Sequence, residues 1–307
     1  MNNKQPLSDL HRHLDGSLRE ATYLELATKL GLQVEAAPRF FAGMGLQAAL
    51  SCFASTLRVL QDLDAVERVA AEIVEDARAE GVSTLEIRFA PQLHVSDPTQ
   101  IDEMARVVDA AVQGVGSDAG LILCMLYGEE PALADALVNI ALSRSAVVGV
   151  DLAGGPSPEH IYGMEHYADV FQRARRGGLG VTVHAGEGRP APEIAVAIER
   201  LGAMRIGHGT TLLSDKRVLE LVIERGVTIE ACLTSNVDVD AIASVNHHPL
   251  PRWLALGVRC TICTDNTLLS GVSATSEREL ARQIPGMNEE LMAMAEAYGH
   301  AARFGAM

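Results

Sequence analysis

The chain has 307 residues, a formal net charge of −15 and 48% hydrophobic residues. That length accommodates one large barrel or two ordinary domains, and the apolar content supplies a core and excludes general disorder. The acidic balance excludes nucleic acid as the main partner, because phosphate contacts need basic patches, and no apolar run is long enough to span a membrane.

The short polar stretch Met1–Pro6 has no secretory pattern. With five cysteines, an odd number, this points to reduced thiols in the cytoplasm. Cys260 and Cys263 form a C-x-x-C. In a strand, positions three apart face opposite sides, so both read as small buried hydrophobes rather than a redox or metal pair.

Short apolar runs alternate with helical patterns from end to end. Candidate strands end near Leu14, Phe89, Leu126, Ala153, His184, Gly207, Thr234 and Asp265. After the first strand, Ser17 and Glu20 read as a capping box, with Gly31 closing the helix. Leu46, Leu50, Phe53 and Leu57 then share one helical face, a pattern that fits either a core stripe or a lid. Asp64 and Glu67 open the next helix and Gly81 ends it, with Val66, Val69, Ala70, Ile73, Val74 and Ala77 as its apolar face. Ser157-Pro158 reads as a cap before a first-turn proline, and Ser276 with Glu279 opens a helix after the last strand. Eight strands alternating with helices predict a single-domain (β/α)8 TIM barrel over residues 1–307, with a short helical insertion at about 33–62. No strand carries a Gly-rich dinucleotide fingerprint.

Four strand ends carry the chemistry. They are His11-Arg12-His13-Leu14-Asp15-Gly16, His184-Ala185-Gly186-Glu187, Gly207-His208-Gly209 and Thr264-Asp265-Asn266. His11 and His13, two apart in a strand, project to one face. Barrel active sites lie at the C-terminal ends of the strands, where His184 and Asp265 also fall. Three nitrogens and one oxygen suit one zinc ion, and iron, manganese or cobalt also accept such ligands. Glu187, between two glycines past its strand, is placed to act as acid or base, and His208 to orient or deprotonate a water. Glu86 and Arg88 share a face of the second strand and read as an ion pair inside the barrel. His247 and His248 read as ordinary loop residues.

On these motifs, with Glu86-Ile87-Arg88-Phe89-Ala90-Pro91 and Val150-Asp151-Leu152-Ala153-Gly154, the chain resembles the adenosine deaminase family of metal-dependent barrel amidohydrolases from His11 almost to its C-terminus. The resemblance implies one zinc ion per chain held by His11, His13, His184 and Asp265. It implies Glu187 as proton donor to purine N1, His208 as the group that positions the attacking water, and Asp265 as a shared base. It implies Gly154, Asp15 and Asn266 as contacts to purine N3, a ribose hydroxyl and N7. The implied partner is a purine nucleoside, with adenosine or 2′-deoxyadenosine as substrate. Asp15 favours a ribose-bearing molecule, since relatives acting on free adenine tend to carry glutamate there. A bulkier nucleoside, 6-aminodeoxyfutalosine or methylthioadenosine, is the second enzyme reading, with Arg39 or Arg58 as candidates for a substrate carboxylate. A non-catalytic barrel is the third, and it predicts loss of a ligand or of the proton donor.

Three departures from the family pattern stand out. Asn266 replaces the commoner aspartate, but an amide donates at any pH. Tyr127 stands where many relatives place an arginine, which puts the polar network around it in question. The chain stops soon after Arg303-Phe304, so the barrel is expected to be closed more sparsely there or by a partner subunit.

Overall fold

The computed structural model describes residues 6–305; Met1–Gln5, most of the short polar stretch noted above, lie outside it. In chain order the elements are β1 (Leu7–His13), α1 (Glu20–Lys29), α2 (Leu46–Leu57), α3 (Leu63–Glu80), β2 (Val82–Phe89), α4 (Ile101–Val115), β3 (Gly120–Leu126), α5 (Pro131–Leu142), β4 (Val147–Ala153), α6 (Ala168–Arg176), β5 (Gly180–Ala185), α7 (Pro192–Val196), β6 (Arg205–His208), α8 (Lys216–Arg225), β7 (Thr228–Ala231), α9 (Leu233–Asp238), α10 (Leu250–Ala255), β8 (Arg259–Ile262), α11 (Ala274–Gln283) and α12 (Glu289–Ala301). The strands pair in parallel in sequence order, β1 to β8. Beyond β8 the sheet closes on itself through a bridge between Arg12 and Asp265, with His13 N–H donating to the Asp265 carbonyl and Asp265 N–H to that of His11, each at 2.7 Å. The fold is the expected (β/α)8 barrel.

The helices form where an apolar stripe meets the sheet. All six stripe residues anticipated for α3 are buried, and Gly81 ends that helix in the left-handed conformation that glycine adopts without strain (φ +87°). Its N-cap is Asp62, whose carboxylate accepts from Asp64 N–H, so Asp64 lies inside the helix. The other anticipated starts also shift. Ser17 does not cap α1; its hydroxyl accepts from Thr267 N–H across the barrel seam. Ser157-Pro158 opens a turn held by Ser157 N–H on His160 Nδ1, and α6 starts only at Ala168. Ser273 and Ser276 form the box at α11, three residues early. Thr234 lies not in β7 but in the first turn of α9, where buried Glu277 accepts from the N–H groups of Leu233 and Thr234. Spacing alone does not separate such sites, because neighbouring Ser and Asp residues offer competing local caps at Asp62 and Ser273, while Ser17 and Glu277 find partners across the fold.

The barrel interior carries charge. Arg88 Nη1 donates to Asp151 and Nη2 to Glu230, both at 2.9 Å, with all three side chains fully buried. Glu86 pairs with Arg205 instead of Arg88, correcting the expected pair; the two share a face but point at different strands. Below this layer Phe304 plugs the barrel floor. Its N–H donates to Glu86 Oε1 at 2.5 Å, and the Arg205 guanidinium lies 3.6 Å from its ring centroid. Gly180 makes room, since a Cβ there would sit 2.1 Å from the ring. The chain's own Phe304 therefore closes the floor where sparse closure was anticipated. Cys260 and Cys263 are both buried and belong to different apolar clusters, as strand alternation requires.

Arg88→Met removes the cation that holds Asp151 and leaves Glu230 to Arg205 alone, and is expected to cost about 3–5 kcal/mol of stability. Urea unfolding followed by circular dichroism measures this; a loss below about 1 kcal/mol would show that the arginine is dispensable to the fold.

Candidate active site

The four anticipated ligands converge at the C-terminal mouth. His11 Nε2 lies 3.2 Å from His13 Nε2, which lies 3.3 Å from His184 Nε2. Asp265 Oδ1 is 3.4 Å from both His11 Nε2 and His13 Nε2. The far nitrogens are committed elsewhere: His11 Nδ1 is 2.7 Å from Glu230 and His184 Nδ1 is 3.0 Å from Asp151. Each Nδ1 therefore carries a hydrogen to a carboxylate, and the bare Nε2 lone pairs face one another. Lone pairs at such spacing repel unless a cation lies between them. The His11, His13 and Asp265 atoms form a triangle with edges of 3.2–3.4 Å, so a point about 2 Å from each has the bond length of a divalent zinc-type ion to nitrogen or oxygen, and His184 adjoins His13 at one edge of it. The residues present thus fit a single metal ion.

The carboxylates behind the histidines are set to stay charged. Burial alone would raise Asp151, but His184 and Arg88 hold it well below the usual range. Burial opposes ionisation of Glu230 too, and Arg88 and Arg205 hold it low. Asp265 has its second oxygen fixed by Ser235 Oγ, which donates to Oδ2 at 2.5 Å.

Glu187 and His208 stand beside this cluster. Glu187 is buried, 3.5 Å from His208 Nδ1, and burial followed by the charge of Asp265 pushes its carboxyl up to about 7. It is therefore a proton donor available near neutrality. His208 and Asp265 both have left-handed backbones (φ +69° and +61°), uncommon for residues with a Cβ and a mark of strain held at functional sites. Burial pushes the His208 pKa well down, so its ring is neutral.

Above the cluster a cavity of about 510 Å3 opens between α2 and the strand ends, reached past His13 and Asp15. Leu50 and Phe53 of α2 line both it and the small inner recess around Glu187, Asp265 and Asn266. Leu46 faces the recess and Leu57 the cavity, so the apolar face of α2 covers the site rather than the barrel core. Asp15 Oδ1 and Asn266 Oδ1 are buried without a partner. Gly154 lines the cavity with its backbone exposed to it (φ +74°) and nothing within 4 Å of where a Cβ would stand. Gly16 is required for a different reason: a Cβ there would collide with the Asn266 side chain. Eight of the nine anticipated site residues thus line the cavity or its inner recess, and His11 lies beside His13 at their edge. Tyr127 keeps the polar network intact: its hydroxyl donates to the His184 carbonyl at 2.8 Å, and Arg189, above its ring, donates to the same oxygen at 3.0 Å.

A parallel barrel with a cluster of histidines and an aspartate at its mouth that could hold a metal defines a metal-dependent hydrolase of the amidohydrolase kind. Within that class the chain belongs to the adenosine deaminase family, whose model matches residues 6–304. It is 36% identical over 312 residues to the adenosine deaminase of Vibrio parahaemolyticus serotype O3:K6, covering 96% of this chain and 92% of that protein. It is 34% identical over 294 residues to a probable adenosine deaminase of Dictyostelium discoideum, covering 90% of this chain but only 37% of that longer protein. Among solved structures it superposes on an N6-mAMP deaminase from Arabidopsis with a TM-score of 0.84 at 26% identity, covering 98% of this chain and 94% of that one.

Sequence reasoning missed the supporting residues Glu230, Ser235, Asn236 and His248, and assigned Asp151 no role. The alternation of β4 and β7 signals that Asp151 and Glu230 sit inside the barrel, but not which histidine each one meets. His248 was read as a loop residue, yet it is buried against Trp253 and bonded to Asn236.

Asp151→Asn removes the charge behind His184 and is expected to weaken metal binding about 10–100-fold with the barrel intact. Chelator competition measures it; unchanged affinity would show that His184 needs no carboxylate behind it.

Proposed function

We propose that the chain hydrolyses adenosine or 2′-deoxyadenosine to inosine or 2′-deoxyinosine and ammonia, with one zinc ion per chain. The observation that carries this reading is a buried, protonatable Glu187 beside the His11, His13, His184 and Asp265 cluster, at the foot of an apolar cavity. We read residues 1–307 as one catalytic domain and residues 33–62 as its lid. The lid is tethered by Phe40 N–H on the Leu269 carbonyl and Gly43 N–H on that of Val237. A cytoplasmic setting is supported by five free cysteines, and no helix among the described residues is long and apolar enough to cross a membrane.

A divalent ion held by the four ligands supplies the Lewis acidity that makes water nucleophilic near neutral pH. The chain's own groups do the rest. Glu187 gives its proton to purine N1, so that the ring accepts the electron pair as water oxygen joins C6. Asp265 takes one proton from that water and passes it to the exocyclic amine. The C6–N bond breaks, ammonia leaves, and the remaining hydroxyl proton restores Glu187. His208 holds the incoming oxygen. Gly154 N–H meets N3, the Asn266 amide meets N7, and Asp15 Oδ1, which has no partner within the chain, accepts from a ribose hydroxyl, satisfying a buried acceptor that is otherwise costly.

The cavity also bears on substrate choice. No lysine or arginine is among the residues lining it, and Leu57, Leu93 and Leu126 make its outer wall apolar. Arg39 is spent on Glu20 and on the Leu268 carbonyl, and Arg58 lies in a separate cleft with Asp62. An uncharged nucleoside is therefore favoured over a carboxylate or a phosphate, and the apolar wall supports a 5′-methylthio nucleoside as the second reading.

Ammonia release from a nucleoside panel with zinc supplied should give the highest kcat/KM for adenosine or deoxyadenosine; preference for methylthioadenosine would move the biology but keep the chemistry. Glu187→Gln keeps the shape but cannot act as an acid, and should retain metal while losing at least about 1,000-fold in kcat. Near-normal turnover would remove Glu187 from its role. Since the active form of Glu187 is protonated, kcat/KM should decline about tenfold per pH unit once pH rises past the region of 7. A profile still flat at pH 9 contradicts this.

A further inference from the structure

A line of polar contacts runs from the backbone of α10 to His208. Leu250 N lies 3.2 Å from His248 Nδ1. His248 Nε2 lies 3.2 Å from Asn236 Oδ1. Asn236 Nδ2 lies 2.9 Å from His208 Nδ1. All three side chains are buried.

The direction of the line is fixed at its far end. A backbone N–H can only donate, so His248 Nδ1 must accept. Burial pushes the His248 pKa down to about 3, so the ring is neutral and its one hydrogen sits on Nε2. That hydrogen goes to Asn236 Oδ1, which turns the Asn236 amide nitrogen towards His208. The amide nitrogen can only donate, so His208 Nδ1 must accept. A neutral His208 then carries its hydrogen on Nε2, the nitrogen left for the cluster, where the His11 and His184 rings lie 5.0 Å away, centre to centre. Glu187 Oε1 is more distant from Nδ1, at 3.5 Å, and as a carboxyl group it needs no hydrogen from the ring.

We infer that Asn236 and His248 are positioning residues that lock His208 in the Nε2–H tautomer, so that His208 donates a hydrogen bond to the reacting oxygen and proton acceptance falls to Asp265 alone. The consequence for turnover rests on the deaminase reading above; the tautomer does not. With Nε2 already protonated, His208 cannot take a proton from water there. It can hold an oxygen and stabilise charge developing on it, a contribution of the oxyanion-hole kind. The Asp265 Oδ1 atom, with Oδ2 fixed by Ser235, is the acceptor that remains.

The test begins on the unaltered, metal-loaded enzyme labelled with 15N-histidine. Its His208 signal is assigned by its loss in His208→Gln. Ring nitrogen shifts separate the two neutral tautomers, and Nε2–H is expected for both His208 and His248; finding Nδ1–H at His208 overturns the proposal whatever the enzyme turns over. Variants test the consequence. Asn236→Asp presents an acceptor in place of the donor, and should reverse the tautomer and lower kcat about 100-fold, with KM within about threefold and metal retained. His248→Gln still offers an amide hydrogen to Asn236 and should keep kcat within about threefold, whereas His248→Phe, which fills the space against Trp253 without a donor, should lose about tenfold. Equal losses in the glutamine and phenylalanine variants, or normal kcat in Asn236→Asp, would reduce the line to packing. Failure of the unaltered enzyme to deaminate any nucleoside would instead strike the function and leave the tautomer readable.

Discussion

The site rests on the charge of Arg88. This guanidinium, fully buried inside the barrel, holds Asp151 on one side and Glu230 on the other. Those two carboxylates in turn hold the Nδ1 atoms of His184 and His11. A cation on β2 thereby fixes the ring orientation and tautomer of ligands on β5 and β1, through acceptors on β4 and β7. Carboxylates behind metal-binding histidines raise ligand basicity, but a buried carboxylate survives only if its own charge is compensated. Arg88 provides that compensation for both at once, with Arg205 assisting at Glu230. The deep charge and the surface chemistry are therefore one system.

Barrel closure and site assembly are also one event. The bridge that joins the last strand region to the first is made by Arg12 and Asp265, and two of its hydrogen bonds flank the ligands His11, His13 and Asp265. A cluster of candidate ligands split across the seam cannot form before the barrel closes. The left-handed backbones of His208 and Asp265 are retained because their neighbours over-determine them: Asp265 by the bridge and by Ser235, His208 by Asn236. The short α9 supplies both Ser235 and Asn236. Its start is pinned by Glu277 from α11, a carboxylate accepting at a helix N-terminus.

The cavity divides its labour by depth. At its foot charged and titratable groups are roofed by Leu46, Leu50 and Phe53; towards its mouth the walls are leucine, phenylalanine and glycine backbone. Apolar side chains of α2 over the recess lower the local dielectric and strengthen the polar contacts beneath it. The same exclusion raises Glu187 to where it can donate, while Asp265, equally buried, stays ionised because His11 and His13 adjoin it. Two carboxylates a few residues from a shared metal position thus take opposite protonation states through their neighbours alone.

The sequence by itself determined the barrel and the four strand-end motifs, and it named the residues that the fold gathers at the mouth. These depend on short-range rules: the period of a strand, the alternation of strand and helix, and the placing of chemistry at strand C-termini. It also settled the character of Cys260 and Cys263, since alternation puts them on opposite faces. Only the tertiary structure decided that Ser17 bonds to Thr267 rather than capping α1 and that Glu277 caps α9, because those partners lie far away in sequence. It decided that Glu86 meets Arg205 and not Arg88, that Phe304 fills the barrel floor, and that α2 turns its apolar face to the cavity. It alone brought His248 through Asn236 to His208. The physical reason is the same each time: buried polar groups are satisfied across strands and loops far apart in sequence, and a pattern of residue types names the groups that need partners without naming the partners.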